Sequence, residues 1–495
     1  MSTDAITIFF DTHPVSRTTV HDRLRGTIFG GALGDAIGLY TGLSHILPVS
    51  LNQRSHGRRR RSSLMRGVRV IEFLSKDLAR QAYPEGKFQL VEPVTAFEAD
   101  VHRLKFVQTG WTDDTDHALL ILLSYLHNNG RLNPVDFAHR LQFWVEQGLR
   151  CLDRLPLGLG RTVGQVGDAI QVFYLLLTLQ VVCDKNFLND PAETAYRKWD
   201  KARRNAAANG SLMRTYPLGI MCFDKSLEET FQVARDFSLV THADPRCIVS
   251  CCLVTALIRG ILREEVVTES DINKLIEESL TWTESWISEQ NGVGSSDRYT
   301  PIDRDEFRKH AFAQSLEGLQ LDDAMKMGYV YKALGASILL LRQGLRRSKS
   351  SDPPSLFEDL ITDLIMEGGD ADTNAAVAGS LLGTLIGYNE LPVKWRGGVM
   401  HAGWLLDKCD ALASVTMIDP LSEPYNGKDD PDTGPEGGKP RLTLPELHQR
   451  EREFSERWLR ASSETLEKRA REKEKLQQGR KERPGSRLRR FLFGK

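Results

Sequence analysis

The chain has 495 residues, 41% of them hydrophobic, enough for one large helical domain or two ordinary ones with real cores. A formal net charge of −1 argues against a nucleic-acid binder, although arginines crowd residues 54–69 and both signs of charge crowd residues 449–495. The seven cysteines form no CxxC pair, the N-terminus carries no secretory pattern, and the longest apolar runs (170–183 and 247–258) fall short of the ~20 residues that span a bilayer; the expectation is therefore a cytoplasmic protein, with the nucleus as the alternative, and no zinc site, disulfide framework or membrane segment.

Residues 1–20 read as an N-terminal extension. From His21 the chain becomes organised: HDRLRGTIFGGALGDAIGLY sets Gly26, Gly30, Gly34 and Gly38 four residues apart, on one face of a helix. Glycine is a poor helix former, so such a stripe calls for a reason, and close approach of another backbone is the ordinary one. Residues 42–71 follow with seven arginines and no acid in thirty positions.

The sharpest local signal is Gly110-Trp111-Thr112-Asp113-Asp114-Thr115-Asp116, which runs into the apolar helix HALLILLSYL. Threonine and aspartate cap free amides at a helix start, yet three carboxylates in four residues exceed what capping requires and repel one another unless cations are near. Helical stretches are expected at 118–126, 137–149, 227–241, 248–263, 272–290 and 325–342, with almost no β alternation. Residues 166–180 form an apolar interruption that reads as a buried helix or as an insertion. Asn209-Gly210-Ser211-Leu212-Met213-Arg214 and Thr241-His242 are each weak signals on their own.

Glu367-Gly368-Gly369-Asp370-Ala371-Asp372-Thr373-Asn374 repeats the pattern of acids and a threonine before a helix, and that helix carries a second stripe at Gly379, Gly383 and Gly387. Oxygen-only ligands of this type suit hard cations, and paired acidic clusters point to two magnesium or manganese ions roughly 3.5 to 4 Å apart. The Pro-, Gly- and Asp-rich segment 424–440 marks the expected end of the compact domain. Beyond it, residues to 495 read as a charged tail, partly helical or disordered.

Five blocks in order, GTIFGGALGDAIG at 26–38, GWTDDT at 110–115, NGSLMR at 209–214, TH at 241–242 and GGDADTNAA at 368–376, resemble the ADP-ribosylglycohydrolases. This family includes the dinitrogenase-reductase-activating glycohydrolase and the ADP-ribosyl-acceptor hydrolases. The resemblance spans about residues 21–425 and implies an all-α, single large domain with two magnesium or manganese ions in a central cleft. It implies Thr112, Asp113, Asp114, Asp370, Asp372 and Thr373 as metal ligands, and Gly110, Asn209, Gly210, Ser211, Met213, Arg214 and His242 near ADP-ribose. The implied reaction is metal-dependent cleavage of the bond between ADP-ribose and a protein side chain or small-molecule acceptor, by a monomer.

The chain departs from the family pattern at Gly42, where a glutamate is expected. Removing residues 42–71 joins GDAIGLYT to EFLSKDLA and makes Glu72 that glutamate, so Glu72 and Asp114 are the catalytic candidates and 42–71 reads as an inserted loop. A basic targeting or nucleic-acid patch is the rival reading of the insert. A catalytically inactive ADP-ribose-binding relative is the rival reading of the whole.

Overall fold

The computed structural model describes residues 3–42, 74–98, 103–157, 180–292, 297–348, 353–419 and 425–482. Among them every regular element is a helix, and β pairing is confined to isolated bridges. The chain is all-α, in agreement with the sequence.

At the centre lie the two glycine-striped helices, Arg17–Gly38 and Ala371–Ile386, packed antiparallel. A methyl group on Gly26 would collide with the carbonyl of Gly383, on Gly30 with that of Gly379, on Gly34 with that of Ala375 and on Gly38 with that of Ala371. The stripes therefore let the two backbones touch, and the Thr27 and Thr384 hydroxyls bond across the seam at 2.9 Å. The antiparallel sense sets the last turn of the first helix against the first turn of the second, so Gly38 abuts Ala371 and Asp372. Arg103 holds this end in place, its guanidinium donating to the carbonyls of Leu39, Tyr40 and Gly42.

Helices Tyr216–Met221, Pro245–Leu262, Val330–Arg347 and Pro353–Ile365 pack around the pair. By length and composition Pro245–Leu262 could cross a membrane, but every residue from Cys247 to Leu262 is buried among the other helices. Its apolarity is accounted for by the core. All seven cysteines are free thiols.

Three segments behave differently from their sequence pattern. The N-terminal extension is docked: helix Thr3–Thr12 buries Ile6 and Phe9, and the Phe9 ring meets Phe223 at 5.0 Å and the Arg263 guanidinium at 4.4 Å. The helix expected from Met325 begins only at Val330, because the preceding loop is tied to other segments: Asn209 N donates to Gly328 O at 3.1 Å and Lys76 N to Asp322 Oδ2 at 3.0 Å. The segment read as the end of the compact domain is strapped onto it. Thr433 is fully buried, Asp430 accepts from Lys408 (2.6 Å) and Tyr425 (2.7 Å), Asp432 accepts from the Trp404 indole (2.7 Å), and Leu442 exchanges two hydrogen bonds with the Gln147 side chain. The charged helix Leu444–Glu482 starts from this strap. Glu72, the insert from Leu43 to Ile71 and residues 166–179 lie outside the described residues.

Candidate active site

Helix Asp113–His127 starts at Thr112, whose hydroxyl accepts from Asp114 N at 3.3 Å and donates to Asp114 Oδ2 at 3.1 Å. A turn closed by Gly110 N on Val107 O (2.9 Å) delivers the chain to this cap. The second acidic motif is shaped by two left-handed glycines, Gly368 (φ +70°) and Gly369 (φ +72°). A side chain at either would be strained and would strike the carbonyl of Leu74 or Leu321, so glycine is required twice. Helix Ala371–Ile386 follows, and the Asp370 carboxylate does not cap it; Asp370 Oδ2 instead accepts from Asn209 Nδ2 at 2.7 Å. Thr373, almost fully buried, stands beside Asp370.

The two helix starts face one another across the end of the first glycine helix, and the link is a residue absent from the sequence-level candidates, Asp35. It is fully buried one turn before Gly38, and its carboxylate accepts from Thr112 N (2.9 and 3.0 Å), Thr115 N (3.0 Å) and Thr115 Oγ1 (2.7 Å). The available signal was a lone acid inside an otherwise apolar, glycine-rich helix, where a buried charge needs a partner.

Five aspartates, 35, 113, 114, 370 and 372, thus gather from segments more than 250 positions apart. All are buried except Asp113, which keeps an edge in solvent. Burial, then the charge of Asp372, pushes the Asp35 carboxyl up to about 7. Burial, then the charge of Asp370, pushes Asp372 up to about 8. Burial and neighbouring carboxylates hold Asp113 and Asp114 well above the usual range, while Asp370 is raised by burial and partly relieved by its hydrogen bond from Asn209. Among the described residues none of the five pairs with a lysine or arginine, and Asp114 Oδ1 and Asp372 Oδ1 are buried without a hydrogen-bond partner. Among the described residues no group of three or more His, Cys, Asp or Glu side chains is placed so that it could hold a metal ion. The donor set nevertheless fits a hard cation: it is oxygen-only, in charge deficit, and aimed at by two helix N-termini that cannot by themselves neutralise it.

The remaining candidates line up behind Asn209. Gly210 is partly exposed, whereas Ser211, Arg214 and His242 are fully buried and Met213 nearly so. Ser211 Oγ accepts from Ser238 Oγ at 3.1 Å, Arg214 Nη2 donates to Thr241 Oγ1 at 2.7 Å, and the Thr241 hydroxyl meets His242 Nδ1 at 2.7 Å. Burial, then the charge of Arg214, pushes His242 down to about 3, so it is a neutral imidazole at physiological pH. The segment flanking the insert also returns here. A Cβ on Gly42 would lie 2.7 Å from Asp372 Oδ1, and Leu74 O accepts from Gly369 N at 3.2 Å. Lys76 reinforces this return through an ion pair with Glu367 at 2.8 Å.

The chain is similar to several known proteins. The chain is 24% identical over 289 residues to the ADP-ribosylarginine hydrolase Tri1 of Serratia proteamaculans, a match covering 58% of this chain and 62% of that protein's length. It is 25% identical over 300 residues to L543 of Acanthamoeba polyphaga mimivirus, provisionally named an ADP-ribosyl glycohydrolase, covering 59% of this chain and 75% of the other. A solved structure of an ADP-ribosylglycohydrolase-related protein complex aligns with a TM-score of 0.48 at 19% identity, over 81% of this chain and all of that one. The ADP-ribosylglycohydrolase family model matches residues 16–420, which contain every acid of the cluster, and the chain belongs to that family.

Proposed function

We propose that this protein hydrolyses the glycosidic bond between ADP-ribose and a protein side chain or small-molecule acceptor, with magnesium or manganese held by Thr112, Asp113, Asp114, Asp370, Asp372 and Thr373. The observation that carries the reading is the cluster of five aspartates, four of them buried, with no cationic partner and two orphaned carboxylate oxygens among the described residues. Its relative Tri1 is named for hydrolysis of ADP-ribosylarginine, which supports the bond class. Bound there, divalent ions supply electrostatic positioning of ribose hydroxyls and of a water near the anomeric carbon. The chain's own part is to present the acids at two facing helix starts, to tie Asp370 to the Asn209 loop and to keep His242 neutral. Glu72 is assigned the role of the carboxylate acting at the scissile bond as oxocarbenium character develops. Support for this comes from the resemblance and from Gly42, at the start of the insert, and Leu74, just after it, which both abut the second acidic motif.

The test is release of ADP-ribose from arginine- and serine-linked mono-ADP-ribosyl peptides with magnesium or manganese, and with chelator as control. Chelator-sensitive release from either peptide is the expected result. ADP-ribose binding without release would make the protein an inactive relative. Deleting residues 42–71 should keep or raise turnover, and Glu72→Gln in that background should remove it; turnover that survives Glu72→Gln overturns the assignment.

A further inference from the structure

We infer that Asp35 is a positioning residue that sets the geometry of the Thr112–Asp114 ligands without itself contacting a metal ion. The inference rests on the proposed reading of those residues as cation ligands. Asp35 grips the first turn of helix Asp113–His127 on both sides of the two ligand acids, through Thr112 N, Thr115 N and Thr115 Oγ1. An ionised carboxylate offers about four lone-pair directions. Oδ2 accepts at 3.0, 3.0 and 2.7 Å and Oδ1 shares the Thr112 amide at 2.9 Å, so this carboxylate is engaged by the helix start, in contrast to the free Oδ1 atoms of Asp114 and Asp372.

The placement follows from the glycine stripe. Because Gly34 and Gly38 let the second helix close up to backbone contact, Asp35 has one rigid location, on the same turn that meets Ala371 and Asp372. It thus references one half of the acid cluster to the helix that carries the other half. Carboxylates that orient metal ligands from behind typically carry ten- to hundredfold in metal affinity.

The experiment compares full-length wild type, Asp35→Asn and Thr115→Val by Mn2+ titration, amide hydrogen exchange over residues 111–117, and thermal melting without metal. The expected result is faster exchange at Thr112 and Thr115 in both variants and Mn2+ binding weakened about ten- to hundredfold in Asp35→Asn, less in Thr115→Val, with the number of bound ions unchanged. Metal-free melting of each variant checks that it remains folded, so that a change in Mn2+ affinity with the fold kept reads positioning of the ligands. Loss of one bound ion would make Asp35 a ligand and overturn the inference, as would unchanged exchange and affinity. If wild type binds no Mn2+ while Asp35→Asn still frees the amides, the proposed metal site fails and the grip on the helix start stands.

Discussion

Two buried acids on one helix, Asp114 and Asp116, have opposite surroundings. Asp116 accepts from the indoles of Trp111 (2.8 Å) and Trp144 (3.1 Å) and from Arg154 Nε (2.9 Å), so its charge is fully answered within the protein. Asp244 repeats the design, with the Trp199 indole at 2.8 Å and Arg246. Asp114, two residues earlier, has other carboxylates as its charged neighbours and one oxygen without a partner. Burial is common to all three; the fold supplies a counter-charge to Asp116 and Asp244 and none to Asp114.

The largest effect that would break this comparison is on turnover. Asp372→Asn or Asp370→Ala should lower metal-dependent ADP-ribose release about a thousandfold or more, the several kcal/mol a metal site contributes, with melting in chelator unchanged or higher. Retained release in either variant would sink the assignment. Asp116→Asn should do the reverse. It leaves partly buried Arg154 and the Trp111 and Trp144 indoles without their carboxylate and should destabilise the fold by about 1 to 3 kcal/mol, read as a lowered denaturation midpoint.

The pH dependence of the metal-free protein sharpens the contrast. The folded-state carboxyls of Asp35 and Asp372 are raised to about 7 and about 8 from 3.8, so between about 4 and 8 the native state holds protons that the unfolded chain has released. Stability in chelator should therefore fall as pH rises through that window, and the gain in melting temperature on adding Mn2+ should grow with it. A pH-independent gain would show that the cluster does not carry this charge. The smallest effects concern the C-terminus. Truncation after Arg460 should change stability by within about 0.5 kcal/mol, whereas truncation after Asp419 removes the strap around Asp430, Asp432 and Thr433 and should cost about 1 to 3 kcal/mol. Equal melting of the two truncations would show the strap to be idle.

Local pattern determined a good deal by itself. The glycine spacing defined two small-faced helices, and the Thr-Asp runs before apolar stretches defined two helix starts rich in acid, because period and capping are properties of neighbouring residues. The same local rules misplaced the boundary at Met325, where contacts to Asn209 and Lys76 hold a loop, and ended the compact domain too early at residues 424–440, whose polar side chains bind the domain rather than solvent. Asp35 and Asp116 could not be sorted from sequence. Whether a buried carboxylate meets an amide, an indole, a guanidinium or another carboxylate is decided by tertiary packing: Asp35 is brought to the Thr112 and Thr115 amides and to Asp372 by the helix that closes on the second glycine helix, whereas Asp116 is answered by Trp111, Trp144 and Arg154.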